Sequence, residues 1–251
     1  MKQKGDKKDN KMSFKKISVE QGAINAKRLL DGRRVVDVIP SLTKQVKFNN
    51  KGKIENKGLF GTLTELVIGC KGGDKLPDFN NGDAKTIKIV NDKVDESCNI
   101  TMIQDNVLPE MMKGVNFYDS YVFKKIGKTL FMPINRDGGD ENWENWTYGE
   151  SFVFSREYFQ KIFDEMENDW NHICSRIQYL VNSGQYITSK LVNQGRTVKI
   201  IELRTKGEGQ KSTSFNHYNG LQISEKSKTY SLYFKQVGLK KIYKEFSNLN
   251  S

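Results

Sequence analysis

No apolar run in this 251-residue chain approaches the roughly 18 residues that a helix needs to cross a bilayer. The lysine-rich start is not followed by a hydrophobic segment, so a secretory signal is not expected either. Cysteine is scarce. Cys70, Cys98 and Cys174 are scattered, odd in number and without a CxxC pair, which argues against a disulfide framework or a zinc site and makes a reducing cytoplasm the expected setting. The two histidines, His172 and His217, stand far apart and join no recognisable triad. With only four prolines there is no Pro/Gly linker to divide the body, and no internal repeat is visible. Arginine is also rare, eight against 33 lysines, which reads as the codon bias of an A+T-rich genome.

What is present is positive charge, unevenly spread. Residues 1–16 carry seven lysines and two aspartates, a net +5. Residues 17–184 hold 22 basic and 24 acidic residues, a net −2, and residues 185–251 hold 12 basic and four acidic ones, a net +8. The total of +11 therefore sits in a tail and in the C-terminal quarter, where a polyanion is the simplest partner. Residues 1–13 are polar and lack large apolar side chains, so they are expected to be disordered. The remainder, 14–251, is expected to form one domain with an N-terminal lobe to about residue 150 and a C-terminal lobe beyond it.

Hydrophobic periodicity predicts helices at 18–30, at 59–68 (LFGTLTELVI) and from Ser155 to about 182. The last would place Tyr158, Ile162, Phe163, Met166, Trp170, Ile173, Ile177 and Leu180 on one apolar face. Strands are expected at 84–90, 99–104, 128–134, 152–154, 198–203 and 229–234, with a closing helix at 239–246. Residues 44–57 read as a polar connector, and 135–141 as a solvated hairpin loop without the ligand spacing of an EF-hand. Strands and helices mixed in this way predict an α/β (α+β) fold, a mixed β-sheet flanked by helices.

The densest chemistry lies at 77–86, PDFNNGDAKT. Positions two apart on a strand share a face, so Asp83 and Lys85 should project together, with Asp78 arriving from the preceding turn. By itself the pattern also describes a polar turn entering a strand. Two carboxylates and a lysine so spaced resemble the PD-(D/E)xK nucleases, which hydrolyse phosphodiesters. That resemblance implies a Mg²⁺ held by Asp78, Asp83 and the main-chain carbonyl of Ala84, with Lys85 orienting the attacking water.

The wider context resembles the MutH family, which includes mismatch-repair nicking endonucleases and type II restriction enzymes that cut at GATC. Lys57-Gly58-x-x-Gly61-x-x-x-Glu65 is similar to its KGxxGxxxE helix, and Glu65 matches the acid that supports the metal site. VFKKIGKTLFMP at 122–133 is similar to its lysine-bearing strand, which puts Lys125 on the active-site lysine. LRTK at 203–206 is similar to the IRPK segment that reads base edges, and LYFK at 232–235 to an FYLK strand that touches DNA. The resemblance spans about 55–245. Asp83 stands where glutamate is usual, Thr205 stands for a proline, and the gap between Asp78 and Asp83 is that of the restriction relatives.

The resemblance implies a restriction-endonuclease-like core and a Mg²⁺-dependent, site-specific DNA endonuclease. A type II restriction enzyme acting on double-stranded DNA at a short site such as GATC is the leading expectation, leaving 5′-phosphates. The expected catalytic residues are Asp78, Asp83, Lys85, Glu65 and Lys125. The expected DNA contacts are Arg204, Thr205, Lys206, Lys211, Tyr233 and Lys235. A transient dimer on DNA and a cognate methyltransferase that protects the host DNA are the expected partners, with no membrane. The alternatives are a mismatch-repair nickase awaiting a MutL-type activator and a catalytically silent DNA-binding module.

Overall fold

The computed structural model describes residues 16–70, 77–103, 106–194, 199–208, 217–218, 221–223 and 228–249. The tail expected at 1–13 and the DNA contact expected at Lys211 lie outside them. Ser18 opens α1 (Val19–Leu29), its Oγ accepting the Gln21 amide at 3.2 Å. There follow α2 (Val35–Val38), α3 (Gly58–Val67), β1 (Asp83–Val90) and β2 (Lys93–Val94), the last two joined through Asn91 and Asp92 at φ 48° and 58°. Next come β3 (Cys98–Met102), α4 (Val107–Lys113), α5 (Tyr121–Ile126), β4 (Lys128–Asn135), β5 (Thr147–Tyr148) and β6 (Phe152–Ser155). The 27-residue α6 (Arg156–Asn182) leads to α7 (Ser189–Val192), β7 (Ile201–Glu208), β8 (His217–Tyr218), β9 (Leu221–Gln222), β10 (Lys228–Phe234) and α8 (Gln236–Leu249).

At the centre β1 and β4 run parallel, paired from Asp83↔Thr129 to Ile89↔Asn135. The other partners of this sheet are antiparallel: β6 and β5 on successive stretches of β4, and β2 against Ile89 and Val90 only. The pleat sorts side chains by parity. Ala84, Leu130, Met132 and Ile134 face a core with Val19, Phe60, Phe79 and Trp146. Ile87, Ile89, Phe131, Phe152 and Phe154 face a second core with the apolar stripe of α6. An antiparallel sheet, β3-β10-β7, closes that second core. Its Phe234 ring lies 5.7 Å from Phe131 and 6.3 Å from Phe154, so the two sheets meet through aromatic edges. The result is a mixed α/β fold with a mixed sheet flanked by helices. Among the described residues no helix is long and apolar enough to cross a membrane.

The expected elements stand within a few residues of their predicted bounds, with four corrections. Tyr158 is 58% exposed, and Phe159 takes its place in the core. The dihedrals of Phe159 (φ −127°, ψ 36°) are non-helical, and Ser155 makes no side-chain cap. The block at 122–133 is not one strand: 121–126 is the helix α5, so Lys125 projects from a helix, and the strand starts at Lys128. The connector at 44–57 and the loop at 135–141 brace each other, because Asp140 accepts the Ile54 amide at 3.0 Å and meets Lys57 Nζ at 3.2 Å. In the same loop Arg136 is buried, its guanidinium 4.6 Å from the Trp146 ring centre.

Candidate functional site

The turn that delivers Asp78 is strapped to the start of α1. Lys16 Nζ donates to the Pro77 carbonyl at 2.6 Å, and the Val19 amide donates to Asn81 Oδ1 at 2.8 Å. Asn81 Nδ2 in turn donates to Glu20 Oε2 at 3.1 Å. Within the turn the Phe79 amide donates to the Gly82 carbonyl at 2.9 Å, and the Phe79 ring packs on Gly22, where a Cβ would come within 2.4 Å of a ring carbon. Gly82 lies against β4, and a Cβ there would fall 2.0 Å from the Lys128 carbonyl oxygen. Only glycine lets the turn enter the sheet this closely.

Held in this way, the side chains meet. Ala84 N donates to Asp78 Oδ2 at 3.0 Å, and Asp78 N lies 3.3 Å from Asp83 Oδ1 as donor. Lys85 Nζ is 2.5 Å from Asp83 Oδ2 and donates to the Ala84 carbonyl at 3.1 Å. Asp83 is 1% exposed. Asp83, Lys85, Ile87 and Ile89 share one face of β1, as the spacing predicts, so the site sits at the start of the second core.

Two other elements bring charge to the pair. Glu65 comes from α3, whose Gly61 approaches β1 at Thr86, where a Cβ would stand 3.3 Å from the hydroxyl oxygen. Lys125 comes from α5. That short helix is fixed by Ser120 Oγ accepting the Phe123 amide at 3.1 Å and by Glu110 accepting the Tyr121 amide at 2.7 Å. Both side chains lie within electrostatic reach of Asp83 and Lys85. All five expected catalytic residues are thus gathered in one place.

The ionisation pattern follows from burial and contact. Burial, the hydrogen bond to Asp83 and that group's negative charge push the Asp78 carboxyl well above the usual carboxylate range. Burial alone would raise Asp83 too, but the Lys85 ammonium and the Asp78 contact outweigh it and hold Asp83 low. For Lys85 burial is likewise outweighed, chiefly by Asp83, and its ammonium is held above the ordinary lysine value. Burial, opposed by Lys85, lifts Glu65 to about 6. Burial lowers Lys125, with the Lys85 charge adding to it and the carboxylates opposing it. The resting pair is an ionised Asp83 and Lys85, beside a second carboxyl that tends to keep its proton.

Among the described residues no three His, Cys, Asp or Glu side chains are arranged to hold a metal ion by themselves. The candidate donor set is two carboxylates and the Ala84 carbonyl. All are hard oxygens of the kind magnesium prefers. Asp83 Oδ2 is buried and, apart from the ion pair with Lys85, has no hydrogen-bond partner. An oxygen left so is suited to a cation, and the donors fit.

The expected DNA-contact residues are arranged by strand parity. Arg204 lies on the outer face of β7, with its guanidinium 5.3 Å from the Tyr233 ring centre and its Nε 3.3 Å from Glu202 Oε1. Lys206 shares the parity of Arg204. Thr205 does not. Its hydroxyl meets Ser189 Oγ at 3.1 Å on the opposite side, so the three residues do not form one reading loop. Lys235 lies just beyond the end of β10, with its amide on the Ile200 carbonyl at 2.8 Å, and so does not continue the Tyr233 face as a strand residue.

Two participants had no part in the expectation. Cys98, on β3, lies beside Lys85, and burial pushes its thiol up to about 12. It arrives from the other sheet, which local sequence does not reveal. Glu202, two before Arg204 on a strand, was legible by parity. The register Cys98↔Phe234, Asn99↔Tyr233 and Tyr233↔Glu202 leads from the Lys85 cluster to Arg204 across three strands.

No protein-family model and no curated protein matches this chain.

Proposed function

We propose that the chain is a Mg²⁺-dependent DNA endonuclease of the PD-(D/E)xK group, similar to the MutH family and acting as a type II restriction enzyme on a short duplex site such as GATC. One observation carries the reading. A buried Asp83–Lys85 ion pair at the start of a central strand is joined by Asp78, the Ala84 carbonyl, Glu65 and Lys125 from three separate elements. Structural salt bridges need no such company, whereas phosphodiester hydrolysis needs oxygen donors and cations side by side.

In this reading Asp78, Asp83 and the Ala84 carbonyl hold the metal ion. When bound, that ion neutralises charge on the phosphate and acidifies a bound water. Lys85 orients the nucleophilic water and balances negative charge as it develops, while Lys125 faces the phosphate from the helix side. Glu65 supports the cluster from α3 and, with a carboxyl near 6, can exchange a proton close to neutrality. The duplex lies along the outer face of β7 and β10, where Arg204 supplies the forked donor that reads guanine. The net +8 of residues 185–251 supports a polyanionic partner for this part of the chain. A cytoplasmic setting, a methyltransferase partner and transient pairing on DNA belong to the same proposal.

Incubating the purified chain with plasmid DNA and Mg²⁺, beside Asp83→Ala, tests it. Discrete fragments from the wild type and none from the variant are expected. Intact plasmid in both would end the enzyme reading in favour of a silent binding module. Persistent nicking of one strand would favour the nickase.

A further inference from the structure

We infer that Lys85 is the resident occupant of the cation site, so that a divalent ion can load only when the ammonium leaves it. The inference rests on the metal-dependent reading above and adds a rule for when the metal is taken up. Two of the oxygens assigned to the metal, Asp83 Oδ2 and the Ala84 carbonyl, are the two that Lys85 Nζ already holds, at 2.5 and 3.1 Å. A divalent ion on the same oxygens would stand within a few ångströms of the ammonium in a buried setting, where like charges repel strongly. The two cations therefore exclude one another.

The ammonium can be drawn away. The Lys85 side chain keeps 16% of its surface exposed against 1% for Asp83, so the cluster is open on the lysine's side. Its four-carbon stem gives Nζ several ångströms of travel. An incoming anion provides the destination. A phosphodiester arriving between Lys85 and Lys125 offers the ammonium a new partner and releases both oxygens. Metal and duplex then favour each other's binding, as linkage requires. Away from DNA the lysine keeps its place, and a loaded, water-activating ion is held back until there is a phosphate to cut. Lys85 thus serves twice, as the gatekeeper of the ion before binding and as the water-orienting cation after it.

Mn²⁺ binding to the full-length protein without DNA, followed by electron paramagnetic resonance of the free ion, tests this without reading activity. Lys85→Met is expected to bind Mn²⁺ roughly tenfold or more tightly than wild type, since it removes a competing charge at contact distance. Lys85→Arg, which keeps the charge, is expected to bind as weakly as wild type, and Asp83→Asn to lose the site. Should Met unfold the protein by circular dichroism, Lys85→Gln removes the charge while keeping a donor for the Ala84 carbonyl. Equal Mn²⁺ affinity in wild type and the uncharged variants, with loss in Asp83→Asn, would overturn the gatekeeper while leaving the metal site standing. No saturable binding in wild type or in any Lys85 variant at millimolar Mn²⁺ would overturn the metal-dependent reading itself, and the gatekeeper with it.

Discussion

Lys85 reaches back along its own strand to Asp83, Nζ to Oδ2 at 2.5 Å, two residues apart on one face of β1. The pair is formed locally by the pleat, so its charge is in place before substrate arrives. On binding, the ammonium exchanges one anionic partner, Asp83, for another, the phosphate, so Lys85→Ala should remove mainly stabilisation that develops at the transition state. Cleavage is expected to fall by about 10²- to 10⁴-fold, with duplex affinity in Ca²⁺ changed by less than about threefold. A parallel loss of affinity in filter binding would show that Lys85 works in the ground state.

Arg204 and Thr205 make a paired test of the DNA face. Arg204 sits over Tyr233 on the outer side of β7, while Thr205 turns to Ser189. Arg204→Ala should weaken site-specific binding by about 1–3 kcal/mol and relax the preference at one base pair. Thr205→Ala should leave affinity within about 0.5 kcal/mol, the usual range for a surface substitution. Anisotropy titrations of one cognate and one scrambled duplex decide it, and the reverse order of effects would move the interface to the α7 side.

Local sequence made the Asp83/Lys85 pair legible, because parity on a strand needs only two residues and a period of two. The same alternation gave the bounds of β1 nearly to the residue, and a short apolar run at 128–134 gave those of β4. On α6 the helical period was misread at one position: Phe159, three and four before Ile162 and Phe163, lies on the buried stripe, and Tyr158 at its edge is exposed. Lys125 was placed on a strand by the resemblance of 122–133 to a lysine-bearing strand, yet the buried Val122 and Ile126 are four apart, as on one side of a helix, and α5 is that helix. Cys98 and Arg136 were invisible for another reason. Each is set by a contact between segments distant in the chain, which no window of sequence contains.

Asp169 was legible in principle. It is a charged residue on the buried stripe of α6, between Met166 and Ile173, and such a position requires a partner. Its partners are backbone amides. Oδ2 accepts from Ile200 at 2.7 Å, Lys199 at 3.0 Å and Ile201 at 3.1 Å, fixing where β7 begins. Asp169→Ala would strand these donors at the root of the strand that carries Arg204. Urea unfolding should show a loss of about 2–4 kcal/mol, with Asp169→Asn costing roughly half as much. An unchanged midpoint for both would mean that water replaces the carboxylate.

The Glu20–Lys128 bridge, at 2.6 Å, ties α1 to the start of β4 and supplies a pH test away from the cluster. Lys128, with further hydrogen bonds from the Glu20 amide and Asn81, holds the Glu20 carboxyl down at about 2, against 4.5 for the free group. A carboxyl depressed on folding adds stability that is full above pH 4.5 and is lost as pH falls towards 2. The pair is well exposed and screened, so its contribution should be below about 1 kcal/mol. Glu20→Gln should therefore trail wild type by that amount at pH 6, with the gap narrowing at pH 3 and in high salt. A gap that widened in acid would contradict the depressed carboxyl.

Gly82 offers the sharpest structural test, because it fails through space and not through chemistry. A Cβ at this position would lie 2.0 Å from the Lys128 carbonyl oxygen and 2.8 Å from Val19 Cγ2, and the first of these is backbone of a central strand that cannot swing aside. The turn must retreat, and Asp78 and Asp83 on either side of it retreat too. Gly82→Ala is therefore expected to cost about 2–4 kcal/mol and to abolish cleavage at temperatures where the protein remains folded. Gly58, at the first turn of α3, is the control. A Cβ there meets nothing within 4 Å, so Gly58→Ala should be neutral or stabilising by about 0.5–1 kcal/mol. Thermal melts and plasmid cleavage on the two variants separate the outcomes. Gly82→Ala with wild-type stability and activity would mean that the turn does not need its close approach to β4 to assemble the cluster.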